Sequence, residues 1–328
     1  MSATFTPLAS LKGRSVTSAT QFSRADIDAL MKLALDMRAH IEAGKTIDAL
    51  HGRVMTPLFF EDSSRTLSSF CAAMMRLGGS VVNFKVETSS VNKGETLQDT
   101  VRTLDSYSDV LVLRHPKEEA LELAISAATH PIMNAGNGAG EHPSQALLDT
   151  LTIHAELGAV DGITIALIGD LKKGRTVHSL LKLLTHNFDI KKAYLIAPAG
   201  LEMPPEVLQQ VSADVRSRRI QIEQAAALTP EIIGDCDVLY ATRLQKERFV
   251  ASAARDASAM AAFESAKAGL LIDKACLAHA KEKMIVMHPL PRVDELSVDI
   301  DEDPRAAYFR QMRYGLFMRM AILYSVLA

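Results

Sequence analysis

The sequence predicts an α/β protein made of two doubly wound, parallel-sheet domains. Three observations lead there. The chain has 328 residues, more than one compact domain of about 100–200 residues usually holds. Short apolar runs alternate with segments whose apolar residues recur at helical spacing. That is the pattern of parallel strands covered by helices on both faces. Near residues 150–160 the alternation pauses and then restarts, which marks a domain boundary.

The first half supplies its elements in order. Val54 to Phe60 is a buried strand, and Arg65 to Leu77 follows with Leu67, Phe70, Cys71 and Met74 at helical spacing. Ser80 to Phe84 is the next strand. Leu97, Val101 and Leu104 mark a helix, and Val110 to Leu113 is a third strand. Ala120 to Ala128 is helical, Ile132-Met133 ends in an Asn-Ala-Gly turn, and Pro143 to Glu156 is a helix. In the second half, strands are predicted at Ile163 to Ile168, Ala193 to Ile196, Ile220 to Ile222, Val238 to Tyr240 and Ile285 to Met287. Val177, Leu180, Leu181 and Leu184 form a helix stripe between the first two. A last helix, about Ala306 to Val326, has the length to pack back across the first domain. The predicted division is 1–150 and 151–304, with 305–328 returning to the first domain.

Composition narrows the function classes. A formal net charge of −3 argues against a general nucleic-acid binder, which carries a basic excess or stripe. Cys71, Cys236 and Cys276 are far apart, with no Cys-x-x-Cys pair, which points to a reducing compartment and no zinc site. No apolar run reaches the roughly 18 residues of a membrane span. The opening residues lack the apolar core of a secretion signal. The expectation is a cytoplasmic protein acting on small molecules, with no membrane or nucleic-acid partner.

Phe59 to Thr66 reads FFEDSSRT: a strand, a polar turn and a helix start. The first N–H groups of a helix have no partner within it, and the macrodipole adds partial positive charge. An anion placed there accepts several hydrogen bonds. Ser63 or Ser64 can cap the helix, Arg65 adds a planar fork suited to phosphate, and Thr66 adds a hydroxyl. Alone, the tetrapeptide would equally suit a plain cap beside a surface arginine. It is not a Walker loop, since no Gly-x-x-x-x-Gly-Lys is present.

Other candidates follow the same placement. Lys93 lies in the polar loop Val86 to Thr96, where it can swing onto an anion. Arg114 follows a parallel strand, at the end where open α/β sheets bind ligands. His142 precedes a helix and can donate to a carbonyl oxygen that gains charge. Gln145, one turn on, can hold an amide. Arg175 opens a helix after the strand ending at Ile168, and the missing Gly-x-Gly-x-x-Gly argues against a dinucleotide. Arg243 follows the strand at Val238. His288-Pro289-Leu290-Pro291 follows the strand at Ile285, and its prolines fix a rigid turn whose carbonyls can accept from an –NH2 group. Each residue alone has an ordinary structural explanation. Their shared position at strand ends and helix starts does not.

In that order, FFEDSSRT, SSVNKGETLQDT, LRHP, NAGNGAGEHPSQALLDT, GDLKKGRTVHSL, TRLQKERF and HPLPRVDEL resemble the motifs of the aspartate carbamoyltransferase catalytic chains, within the aspartate/ornithine carbamoyltransferase superfamily. The match runs from about Phe59 into the final RAAYFRQMRYGLFMRMAIL. It implies two α/β domains with the active site in the cleft between them. It also implies a homotrimer with active sites shared between subunits, and no metal or organic cofactor. The implied reaction joins carbamoyl phosphate to L-aspartate, giving N-carbamoyl-L-aspartate and phosphate in pyrimidine synthesis. The resemblance makes 1–150 the carbamoyl phosphate-binding domain and 151–304 the aspartate-binding domain.

Residue by residue, the resemblance assigns Ser63, Ser64, Arg65 and Thr66 to the phosphate, and Thr66, Arg114 and His142 to the carbonyl oxygen. Gln145 and the carbonyls of Leu290 and Pro291 fall to the carbamoyl –NH2. Arg175 and Arg243, with Gln245 beside them, fall to the aspartate carboxylates. Ser89 and Lys93 match loop residues that the family donates from a neighbouring subunit, Ser89 to carbamoyl phosphate and Lys93 to aspartate and the chemistry. Ser64 stands where the family more often has threonine, and Asn92 where it often has a second lysine. Neither change removes a group assigned to substrate. Ornithine carbamoyltransferase shares the carbamoyl phosphate half, but Arg175, Arg243 and Lys93 would repel a cationic side chain. A non-catalytic scaffold of the same fold would have lost motif residues, and none is lost here.

Overall fold

A computed structural model describes residues 5–244, 264 and 267–328. Its residues fall into two compact units, Met1–Leu151 with Met312–Ala328, and Thr152–Gln311. Gln245 lies outside the described residues.

The first unit opens with helix α1 (Arg24–Glu42). Ser23 and Asp26 cap it reciprocally, and Ile27, Leu30, Met31, Ala34 and Met37 form its buried stripe. Then come β1 (Val54–Phe59), α2 (Ser64–Arg76), β2 (Ser80–Val81), α3 (Leu97–Asp105), β3 (Val110–His115), α4 (Ala120–Ala127), β4 (Ile132–Asn137) and α5 (Pro143–Leu157). The strands form a parallel sheet in the order β2-β1-β3-β4. Leu58, Leu111 and Leu113 on one face pack with Val101 and Leu104 of α3 and Leu121 and Ala124 of α4. Val110 and Val112 on the other face are equally buried. Burial on both faces explains why β1 and β3 read as continuous apolar runs rather than alternating ones.

The second unit carries β5 (Thr164–Ile168), α6 (Arg175–Asn187), β6 (Lys192–Ile196), α7 (Pro205–Ser217), β7 (Gln221–Ala225), α8 (Pro230–Asp235), β8 (Val238–Ala241), α9 (Lys274–Leu277) and β9 (Ile285–Met287). Its sheet is also parallel, in the order β7-β6-β5-β8-β9. Ala166, Ile168, Leu239, Ala241 and Val286 anchor its core. The last helix, α10 (Tyr308–Leu327), starts in this unit and completes the first. There it pins the N-terminal segment: Gly13 N–H donates to the Val326 carbonyl at 2.9 Å, and Tyr324 Oη donates to the Phe5 carbonyl at 3.0 Å.

Some elements differ from expectation. The strand expected over Ser80 to Phe84 pairs only through Val81, because the Phe84 N–H turns back onto the Val82 carbonyl and the chain leaves the sheet edge. β4 is longer than Ile132-Met133. Gly136 takes φ 117° inside it, and the Gly136 N–H donates to Asn134 Oδ1 at 2.8 Å, so the Asn-Ala-Gly segment stays in the strand. Helices α1, α7, α8 and α9 are additions. Among the described residues no helix is long and apolar enough to cross a membrane.

Candidate active site

In an open parallel sheet, the crevice for a ligand lies beyond the carboxyl ends of two strands whose chains depart in opposite directions. In the first unit that point is between β1 and β3, since the chain leaves β1 toward β2 and then adds β3 on the other side. In the second unit it is between β5 and β8. Ser63 to Thr66 follow β1 and Arg114 lies near the end of β3, while Arg175 and Arg243 follow β5 and β8.

Ser63 is the N-cap of α2, extended at φ −158°, and its side chain makes no capping hydrogen bond. The hydroxyl therefore does not occupy the helix start. Arg65 sits in the first turn and is exposed, and Thr66 is buried. Neighbouring atoms still desolvate the Arg65 guanidinium and pull its pKa below the ordinary arginine value. It remains a cation in any physiological solution.

Arg114 is held beside this turn. Its residue pairs with Phe59 in the β1–β3 register, and its carbonyl accepts from the Phe60 N–H at 2.8 Å. Nη1 donates to the Ala135 carbonyl at 3.3 Å, and Nη2 lies 3.3 Å from Glu61 Oε2. Glu61 stands inside the quoted motif, yet spacing gave no sign that it would steer Arg114. His115 is a structural neighbour. Its Nδ1 accepts from the Lys117 N–H at 3.1 Å, its ring packs 5.0 Å from Phe60, and burial lowers its pKa.

The Gly-rich turn after β4 is tied to the end of β3, because the Gly138 N–H donates to the His115 carbonyl at 2.9 Å. A Cβ at Gly138, φ 56°, would lie 2.7 Å from the Pro116 carbonyl, so this approach requires glycine. The turn delivers His142 and Gln145 to the start of α5, both buried. Gln145 Nε2 donates to Asp149 Oδ1 at 2.9 Å. Ser89 and Lys93 lie elsewhere, on the loop after β2. Ser89 Oγ donates to the Val86 carbonyl at 2.8 Å, and Lys93 is exposed before Gly94.

In the second unit, Arg175 opens α6 behind the β5 turn, and Arg243 follows β8. Both are half-buried. The strand ends are bound together: the N–H and Oγ1 of Thr242 both donate to the Ile168 carbonyl, at 2.8 and 2.9 Å. A Cβ at Gly169, φ 120°, would sit 2.4 Å from the Thr242 carbonyl. Two guanidinium groups thus follow adjacent strands, and each fork can pair with a carboxylate.

The His288–Pro291 turn follows β9. The Leu290 N–H donates to His288 Nδ1 at 2.8 Å, so the ring proton is on Nε2 and is donated to Glu295 Oε1 at 2.8 Å. Glu295 also accepts from the N–H groups of Val293 and Asp294. Leu290 takes φ 57° and the Leu290-Pro291 peptide is cis. Burial alone would raise the Glu295 pKa. The hydrogen bond from His288, with the backbone donors, outweighs it and holds the carboxyl below its usual range. Its contribution is therefore complete above the ordinary carboxylate range and is lost as pH falls through the depressed value. Glu295→Ala is expected to destabilise the protein by about 3 kcal/mol, because it leaves a buried imidazole N–H without its acceptor. An unchanged denaturant midpoint would remove Glu295 from this role.

Two domains of one family match the chain. The aspartate/ornithine carbamoyltransferase carbamoyl-P binding domain covers residues 14–155, and the Asp/Orn binding domain covers residues 161–326. The chain is 44% identical over 318 residues to the aspartate carbamoyltransferase catalytic subunit of Thermoplasma acidophilum, covering 97% of this chain and 99% of that one. It is 48% identical over 319 residues to the multifunctional protein pyr-3 of Neurospora crassa, but spans only 17% of that protein's length. Among solved structures, a putative aspartate carbamoyltransferase of Leishmania major is 79% identical, with a TM-score of 0.91 and 99% of both chains covered. Aspartate transcarbamoylase of Trypanosoma cruzi, in complex with carbamoyl phosphate and aspartate, is 66% identical, with a TM-score of 0.93 and 98% of both chains covered. With both halves matched in sequence and in fold, the chain belongs to the aspartate/ornithine carbamoyltransferase family.

Proposed function

We propose that the chain transfers the carbamoyl group of carbamoyl phosphate to the amine of L-aspartate, giving N-carbamoyl-L-aspartate and phosphate in pyrimidine biosynthesis. One observation carries this reading: each sheet offers anion readers at its own switch point, and the two sets suit different anions. The set in the first unit, Ser63, Ser64, Arg65 and Thr66 with Arg114, His142 and Gln145, suits a phosphate joined to a polar carbonyl. The set in the second unit, Arg175 and Arg243, suits a dicarboxylate. The Trypanosoma cruzi relative was solved with both molecules.

The neutral amine of aspartate attacks the carbamoyl carbon. The carbonyl electrons move onto oxygen, where Thr66, Arg114 and His142 stabilise the charge. Gln145 and the carbonyls of Leu290 and Pro291 orient the –NH2. The bond between the carbamoyl carbon and the bridging phosphate oxygen then breaks, the carbonyl re-forms, and phosphate leaves with the proton released by the amine. The reagent is already activated, so positioning and charge stabilisation drive the reaction, and no protein general base is required. Lys93 and Ser89 act on the site of a neighbouring subunit in a cytoplasmic homotrimer. Gln245 joins Arg175 and Arg243 on aspartate.

Purified protein is expected to release phosphate from carbamoyl phosphate with aspartate and not with ornithine. Ornithine would bring a second cation against Arg175 and Arg243. Equal rates with the two amines would overturn the assignment.

A further inference from the structure

Asp149 lies one helical turn beyond Gln145 on α5, on the same face. The Gln145–Asp149 bond engages the –NH2 end of the amide, at 2.9 Å. Its oxygen end is left to accept, and an acceptor is what a carbamoyl –NH2 requires. The two ends of an amide are nearly the same shape. Without an anchor it can turn over and set a donor against a donor.

The anchor needs support. Asp149 is 0% exposed, and a buried carboxylate is unfavourable without compensating charge. Arg319 of α10 is a buried cation whose charge acts on it. It is 4% exposed, its guanidinium carbon stands 5.1 Å from the centre of the Phe70 ring, and a Cβ on Gly315 would come within 3.0 Å of its Nη1. Burial pulls the Arg319 pKa down to about 10 while Asp149 acts to raise it, so it is a cation near neutrality. Its Nε makes no hydrogen bond among the described residues. An apolar side chain of similar volume would stabilise such a site as well or better. Stability therefore gives no reason for an arginine here, whereas steering Gln145 through Asp149 does.

We infer that Asp149, backed by Arg319, is a positioning pair that locks the Gln145 amide with its oxygen toward the carbamoyl –NH2. The pair thereby selects carbamoyl phosphate over acyl phosphates that lack that group. The inference rests on Gln145 holding the carbamoyl –NH2, as proposed above.

The test compares dissociation constants for carbamoyl phosphate and for acetyl phosphate, in which a methyl replaces the –NH2. The proteins are the unaltered chain, Gln145→Ala, and the paired variant Asp149→Leu with Arg319→Met. Removing both takes the two buried charges away together, so the thermal midpoint is expected to hold or rise. The preference for carbamoyl phosphate is expected to fall about tenfold, the worth of one hydrogen bond, both in the paired variant and in Gln145→Ala. Adding Gln145→Ala to the paired variant should lower it no further. If Gln145→Ala lowers the preference and the paired variant does not, the positioning pair is overturned. If neither lowers it, the assignment of Gln145 fails and the inference fails with it. Where the paired variant does not fold, Asp149→Leu with Arg319→Gln removes the same acceptor and the same two charges, a reduced preference supporting the pair and an unchanged one overturning it.

Discussion

With Arg65 replaced by alanine, carbamoyl phosphate is expected to bind about a thousandfold more weakly, while the unfolding midpoint stays where it was. Charge-assisted hydrogen bonds contribute about 1.5–3 kcal/mol each, so losing a two-pronged fork removes about 4 kcal/mol. Stability is spared because Arg65 is exposed in the first turn of α2, and surface positions of that kind contribute little to folding. Arg65→Lys keeps the charge without the fork and should recover only part of the loss. Calorimetric titration with carbamoyl phosphate measures both variants. Affinity equal to that of the unaltered protein would take Arg65 out of the phosphate site.

Replacing His142 has a different signature. His142→Ala is expected to lower kcat by about a hundred- to a thousandfold and to leave carbamoyl phosphate affinity much closer to its starting value. The reason is timing, since the carbonyl oxygen acquires most of its charge only when the amine has attacked. A donor aimed at that oxygen acts on the transition state more than on the bound reagent. Because His142 is buried, His142→Asn serves as the companion variant, retaining a donor and much of the volume. Single-turnover rates decide the matter. A normal rate in His142→Ala would exclude it as an oxyanion donor.

The alternation of strands and helices was legible because β1, β3, β5 and β8 are buried on both faces and read as unbroken apolar runs. α1 was equally legible in principle. Ser23 three residues before Asp26, then Ile27, Leu30, Met31, Ala34 and Met37, is a cap followed by a stripe. The Pro205 start of α7 was a similar signal. β4 misled because Asn and Gly favour turns, whereas here the Asn134 side chain satisfies the Gly136 N–H within the strand. The residues that contact substrate in the proposed reaction were legible because helix starts and strand ends are local features. The residues that orient them were not. Glu61 reaches Arg114 across a long stretch of chain, and the inferred backing of Asp149 by Arg319 spans a longer one. No spacing rule connects such positions, so in the sequence Arg319 was only a charge in an apolar helix.

The two-part composition of the first unit also orders events during synthesis. Residues 5–13 and the last turns of α10 are joined by hydrogen bonds between Phe5 and Tyr324 and between Gly13 and Val326. Translation therefore delivers every strand of both sheets before the helix that finishes the first unit has left the ribosome. All the strand pairs are parallel, so none closes as a simple hairpin, and such sheets assemble slowly. Until α10 docks, Phe70 and Leu148, which meet it in the finished protein, face outward on a nascent chain. The first unit is thus the last to be sealed, and a holding chaperone would find its purchase there.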